Sequence, residues 1–237
     1  MQRCFVNSKE NNNFILDEND SYHLTKVMRM KKNDLVEVVY DNDVYLTKII
    51  DFNPIKVSII KKINSINSLI LKITICQSLV KESKMDLILE KSTELGAYSF
   101  IPLKVKNSII KGSDNDFKKK VIRWSKIVES ASCQSKRNNI PLVNEVLSID
   151  EVIKLDFDLK ILCTVNEVSR SLKNILQNNK NYGTMIIVIG PEGGFTKEEE
   201  EKFKVNGFVS ASLGNLVLRT ETASICALSM INYEFER

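Results

Sequence analysis

The pattern of apolar and polar positions divides the chain in two. LVEVVY (35–40), VYLTKII (44–50) and IKVSII (55–60) are short, rich in β-branched and aromatic residues, and partly alternating, as half-buried strands are. Asp41-Asn42-Asp43 predicts a hairpin turn between the first two, and Pro54 a connection between the second and third. Ahead of them, residues 21–34 place Leu24, Val27 and Met28 on one helical face, with Lys26, Arg29, Lys31 and Lys32 towards solvent. The Asn-rich stretch INSINS closes this small all-β unit, and the expected boundary falls between 67 and 68.

Beyond it, strands alternate with helices. LILKITICQ (69–77), FIPL (100–103), LKILCT (159–164), MIIVIG (185–190) and FVSASLG (208–214) read as strands. A helix follows the first, with Met85, Leu87, Ile88, Leu89 and Leu95 near helical spacing and Gly96 placed to stop it. A basic helix over 117–137 buries Val121, Trp124, Val128 and Ala131 and turns Lys118, Lys119, Arg123 and Lys126 outwards. Further helices are expected near 169–177 and over 221–235. This alternation predicts an α/β fold with a mostly parallel sheet covered on both faces, preceded by a small β domain.

Composition narrows the function classes. The 237 residues are 43% hydrophobic and 27% charged, ordinary for a globular protein. No apolar stretch follows the basic start, and no apolar run is long enough to cross a bilayer, so a cytoplasmic, non-membrane protein is expected. Five scattered cysteines without a C-x-x-C pair, and a single histidine (His23), argue against a disulfide framework and against a metal site. A net charge of +4 permits nucleic-acid binding without demonstrating it.

MIIVIGPEGGFTKEEEEKF (185–203) carries the most chemistry. An apolar strand runs into Gly190-Pro191-Glu192-Gly193-Gly194, and then into a helix whose Thr196 and Glu199 have capping-box spacing. Glycines at the carboxyl end of a parallel strand let backbone approach a ligand. Neither a Walker loop nor a dinucleotide fingerprint is present, and Glu198 to Glu201 would repel a polyphosphate at that helix start. In the second half of the tract, Gly214 follows a strand, Thr220 is placed to cap the last helix, and Ala223, Ala227 and Met230 form its apolar stripe. Arg219 and Glu221 flank the cap.

GPEGGF (190–195) followed by SLG-x-x-x-LRTETA (212–223) resembles the C-terminal signature of the knotted SPOUT methyltransferases. Within them the chain is most similar to the ribosomal RNA small subunit methyltransferase E family. Arg3 and Phe5 match that family's opening, and His23-Leu24 with Val27-Met28-Arg29 match an H-x-x-x-V-L-R element in which Met replaces Leu. Lys91, Thr93, Glu94, Leu95 and Gly96 match its K-x-T-E-L-G helix end, followed by Pro102. Arg123, Trp124, Gln134, Ser135, Arg137 and Pro141 match its R-W…Q-S-x-R-x-x-x-P stretch. The departure is a low-glycine background rich in Asn, Ile and Lys.

The resemblance implies a PUA-like β-barrel over 1–67 and an α/β trefoil-knot methyltransferase domain over 68–237. It implies a homodimer, S-adenosylmethionine as cofactor, and a uridine N3 of small-subunit ribosomal RNA as target. The implied cofactor cradle is Thr164, Gly190, Pro191, Glu192, Gly193, Gly194, Leu213, Gly214, Leu216 and Leu218. Arg219 is the expected stabilising cation, and Glu221 a proton acceptor or an orienter of Arg219. Arg3, His23, Lys26, Arg29, Arg123, Gln134 and Arg137 are the expected RNA contacts. Methylation at uracil C5 is disfavoured, since no cysteine lies between 190 and 223. The rival readings are a transfer-RNA enzyme of the same superfamily, a non-catalytic RNA-binding protein of the same fold, and a nucleotide-binding enzyme.

Overall fold

The computed structural model describes residues 1–63, 71–178 and 182–235, so the expected boundary between 67 and 68 lies outside the described residues. The chain divides into two compact units. The first is Met1–Ser68 together with Ser132–Ile140, a segment the sequence pattern assigns to the second half. The other is Leu69–Ala131 with Pro141–Arg237.

Six strands form the first unit: β1 (Arg3–Phe5), β2 (Lys9–Glu10), β3 (Asn13–Ile15), β4 (Leu35–Tyr40), β5 (Asp43–Phe52) and β6 (Ile55–Ile63). Their order in the sheet is β1-β4-β5-β6-β3-β2, antiparallel except for the β1–β4 pair. Cys4 of β1 and Phe14 of β3, near opposite ends of that order, share one core with Val36, Val38, Ile49 and Val57, so the sheet curls round its apolar face. The β4–β5 hairpin turns on Asp41 (φ 51°) and Asn42 (φ 62°), residue types that tolerate the left-handed region; Asp43 already belongs to β5.

The stripe expected over 21–34 is corrected. Helix α1 (Glu18–Tyr22), capped by Asp17, passes into a π turn at His23–Val27, where the Met28 N–H donates to the His23 carbonyl five residues back. The wider turn rotates later positions off the 3.6-residue stripe. Leu24 is buried, but Val27 and Met28 are 58% and 49% exposed, and Met30 packs against the core in their place.

The second unit is a parallel sheet in the order β10-β8-β7-β12-β11-β13, with β9 also beside β8. Its strands are β7 (Lys72–Ser78), β8 (Ser99–Lys104), β9 (Leu142–Val143), β10 (Leu147–Ser148), β11 (Leu159–Cys163), β12 (Thr184–Ile189) and β13 (Val209–Ala211). The helices are α2 (Glu82–Glu94), α3 (Asp114–Gln134), α4 (Ile149–Val152), α5 (Leu172–Asn178), α6 (Lys197–Val205) and α7 (Thr220–Glu234). In β12, Met185, Ile187 and Ile189 face one core, and Ile186 and Val188 the other. The first core is closed by α2, α3, α5 and α7 through residues such as Met85, Trp124, Leu172 and Ala227, the second by α4 and α6 through Val152 and Phe203. Both faces are covered, which is why the strands read as continuous apolar runs. Gly96 ends the α2 region at φ 87°, while Leu87, expected in its stripe, is 39% exposed. Among the described residues no helix is long and apolar enough to cross a membrane.

Candidate active site at the carboxyl edge of the parallel sheet

Strand register gathers the expected cofactor residues. Cys163 of β11 stands opposite Ile189 of β12 and Ala211 of β13, so Thr164, Gly190 and Ser212 each begin a loop at the same edge. This is the carboxyl edge, where open α/β sheets take their ligands. The 212–218 loop and the first turn of α7 follow from there.

The 190–194 turn is held from several sides. The Gly194 N–H donates to the Pro191 carbonyl at 2.9 Å, and the Asn107 side chain donates to the Gly193 and Gly194 carbonyls at 3.2 and 3.1 Å. The capping box is present: the Glu199 N–H donates to Thr196 Oγ1, and the Thr196 N–H to Glu199 Oε2. Gly190 is needed for space, since a Cβ there would lie 3.1 Å from the Phe195 ring. Gly214 has a different reason: its φ of 135° excludes most side chains, and the space a Cβ would take is open.

A buried polar chain supports the turn from behind. The Thr220 hydroxyl donates to the Gly190 carbonyl at 2.7 Å and accepts from Gln77 Nε2 at 2.9 Å; Gln77 Oε1 accepts from the Ser224 hydroxyl at 2.7 Å. Thr220 is therefore not the cap of α7. That position belongs to Arg219, without a side-chain capping bond.

The charged groups pair differently from expectation. Lys84, in the first turn of α2, lies 3.0 Å from Glu192 and 3.3 Å from Glu221. Glu192, and then Glu221, push the Lys84 ammonium above its usual range. Arg219 is exposed and has no ion-pair partner among the described residues; the ion pair of Glu221 is with Lys84. Thr164 turns its hydroxyl to Glu200 Oε1 at 2.5 Å, where Asn166 also donates. Leu213 packs on the core and Leu218 is half-buried, whereas Leu216 and Val217 are 81% and 82% exposed.

The expected RNA contacts scatter. Lys26, Arg29 and Gln134 are exposed and His23 is half-buried. Arg123 is exposed but forms a two-pronged pair with Asp86 of α2. Arg3 and Arg137 are buried, which corrects their assignment to a surface. Arg3 binds Glu37 through Nε and Nη2 and donates through Nη1 to the Lys136 and Arg137 carbonyls and to Asn138 Oδ1. A guanidinium so buried and engaged is an internal tie and not a surface contact for a phosphate.

Sequence reasoning missed Lys84, Gln77 and Asn107. Gln77 left a signal, as a large polar residue that follows the apolar Ile75 and Cys76 near the end of strand β7. Lys84 and Asn107 left none, resembling any solvated lysine and any loop asparagine.

Comparison with known proteins gives this edge its context. Residues 67–232 match the RNA methyltransferase domain family and residues 16–62 the RNA methyltransferase PUA domain. The chain is 33% identical over 252 aligned residues to the ribosomal RNA small subunit methyltransferase E of Bacillus subtilis, covering 100% of this chain and 98% of that one. The crystal structure of the Neisseria gonorrhoeae ribosomal RNA small subunit methyltransferase E bound to S-adenosyl methionine is similar at a TM-score of 0.87 and 26% identity, over 98% and 97% of the two chains. A Legionella pneumophila structure described as a methyltransferase with bound cofactor aligns at a TM-score of 0.89 and 27% identity, over 98% and 96%. These matches run through both compact units and the whole carboxyl-edge tract, and the chain belongs to the ribosomal RNA small subunit methyltransferase E family.

Proposed function

We propose that the protein methylates N3 of a uridine in the RNA of the small ribosomal subunit, with S-adenosylmethionine as methyl donor. One observation carries the reading: Thr164, the 190–194 turn and the 212–218 loop converge at one sheet edge beside Glu192, Lys84 and Glu221. The residues present fit the donor. Glu192 and Glu221 suit a sulfonium and an ammonium, the acidic first turn of α6 disfavours phosphates, and the open space at Gly214 admits a ligand against backbone. Thr164, Gly190, Pro191, Glu192, Gly193, Gly194, Leu213, Gly214, Leu216 and Leu218 form its cradle, mostly through backbone, since the Thr164 hydroxyl is taken by Glu200. When bound, S-adenosylmethionine supplies a methyl group on a positively charged sulfur.

The chain's own residues supply the rest. Uracil N3 carries a proton and becomes a nucleophile only on losing it. Glu221 accepts that proton at a carboxylate oxygen, while Arg219, permanently charged and unpaired among the described residues, stabilises the negative charge that gathers on the O2 and O4 carbonyl oxygens. RNA contact falls to His23, Lys26 and Arg29 with the exposed Tyr22 beside them, and to Gln134; Arg123 takes part by exchanging Asp86 for phosphate. The reading extends to architecture: a PUA-like RNA-binding barrel over 1–67, a knotted methyltransferase domain over 68–237, and a cytoplasmic homodimer. The exposed Leu216 of the cradle and Val217 beside it support a second copy covering that loop.

Deletion of the gene followed by mass spectrometry of digested small-subunit RNA tests the reaction; N3-methyluridine that survives the deletion would defeat it. Arg219→Ala should lower turnover by about 10²-fold while leaving the Kd for S-adenosylmethionine within a few-fold. Unchanged turnover would remove Arg219 from the mechanism.

A further inference from the structure

Lysine in the first turn of a helix sits against the positive end of the macrodipole, so Lys84 gains nothing from α2 itself. Its partners come from two other elements: Glu192 from the turn after β12, and Glu221 from the first turn of α7. Glu221 Oε2 is buried and accepts no hydrogen bond in the described structure, which leaves the Lys84 ammonium as its compensating group. Both carboxylates reach one nitrogen, so their oxygens stand at most about 6 Å apart, close enough for like charges to suppress one another's ionisation.

We infer that Lys84 is a positioning residue for methyl transfer, the shared counter-ion that holds Glu192 and Glu221 together at one site. The inference rests on the methyl-transfer reading above. Lys81, at the N-cap of α2, is exposed and makes no ion pair among the described residues. On α2, Glu82 pairs with Lys120 and Asp86 with Arg123, both of α3; on α7 Glu221 is the acidic residue of the first turn, preceded by Arg219, which is unpaired among the described residues. Without the ammonium, two carboxylates confront each other in a half-buried space, and one of them retains a proton to higher pH. A protonated Glu221 cannot accept the N3 proton, and a protonated Glu192 loses its attraction for a cationic ligand.

The test compares wild type, Lys84→Gln, Lys84→Arg, Glu192→Gln and the double variant Lys84→Gln with Glu192→Gln. Single-turnover methylation of small-subunit RNA is followed from about pH 5 to 9, and S-adenosylmethionine binding is measured by calorimetry over the same range. Lys84→Gln should slow transfer tenfold or more at pH 7, move the acidic limb of the rate profile up by about one unit, and weaken binding most at low pH. Lys84→Arg should keep the limb in place. The double variant, with the repulsion relieved, should return the limb towards the position seen with Glu192→Gln alone, and this comparison stands even if Lys84→Gln alone does not fold. A loss of rate and binding that is equal at every pH, with the limb unmoved and not responding to Glu192→Gln, would overturn the inference and leave Lys84 as packing. Wild type that neither binds S-adenosylmethionine nor transfers its methyl group would instead defeat the underlying reading, and the inference with it.

Discussion

At the scale of single residues, the Gly190 carbonyl is fixed by a hydroxyl from a helix that begins thirty residues later. Thr220→Val keeps the shape but removes the donor to the half-buried Gly190 carbonyl and the acceptor of the buried Gln77, leaving both short of a partner. The expected cost is about 1–3 kcal/mol in urea denaturation, with weaker S-adenosylmethionine binding because the 190–194 turn is loosened. A variant as stable and as tight-binding as wild type would show that water replaces the hydroxyl. Gln77 and Thr220 are 143 positions apart, which is why the polar end of β7 could be noticed in the sequence but not paired. Lys84 and Arg3 teach the same lesson from opposite sides. Sequence gives their charge, but not whether it ends in water or against carboxylates, and Arg3 matched a family position while its burial stayed invisible.

Elements were more legible than partners, because their signals are local. The apolar runs at 159–164 and 185–190, the stop at Gly96 and the Thr196–Glu199 box all specify structure within a few residues, and each stands where expected. Thr196→Ala tests how much the box contributes. It removes the acceptor for the Glu199 N–H and should destabilise the protein by about 1 kcal/mol, while Thr196→Ser should cost little. Because Glu199 also accepts from the Lys106 N–H at 2.7 Å, the loop carrying Asn107 should loosen together with the turn, detectable as faster amide exchange at Lys106. Exchange there unaltered in Thr196→Ala would confine the effect to the helix end. The π turn at His23–Val27 was not legible, since its sequence keeps an α-helical stripe that the backbone then departs from. Two-residue strands such as β9 and β10 are too short to leave a period.

At the scale of the molecule, the first unit is not a contiguous stretch of chain. Ser132–Ile140 belongs to it, and the contacts explain why: the Lys136 and Arg137 carbonyls and Asn138 Oδ1 satisfy Arg3, while Lys136 joins Arg3 on Glu37. Burial pushes the Glu37 carboxyl up, but Lys136 and Arg3 outweigh it and hold the group below the usual carboxylate range. A fragment ending at residue 67 keeps Arg3 and Glu37 but loses every one of these partners from 132–140. Loss of hydrogen bonds to a charged group costs about 1.5–3 kcal/mol, enough to lower the melting midpoint of a domain this small by roughly 5–10 °C or more. The fragment 1–67 should therefore melt well below a second fragment in which residues 132–140 are rejoined to it through a flexible linker, with circular dichroism as the measure. The difference should narrow as the solution is acidified through the ordinary glutamate range, because the share of the stabilisation that comes from ionised Glu37 is present above that range and is lost as the carboxyl takes up its proton. Equal midpoints at neutral pH would mean that residues 1–67 fold independently of the segment that Arg3 binds.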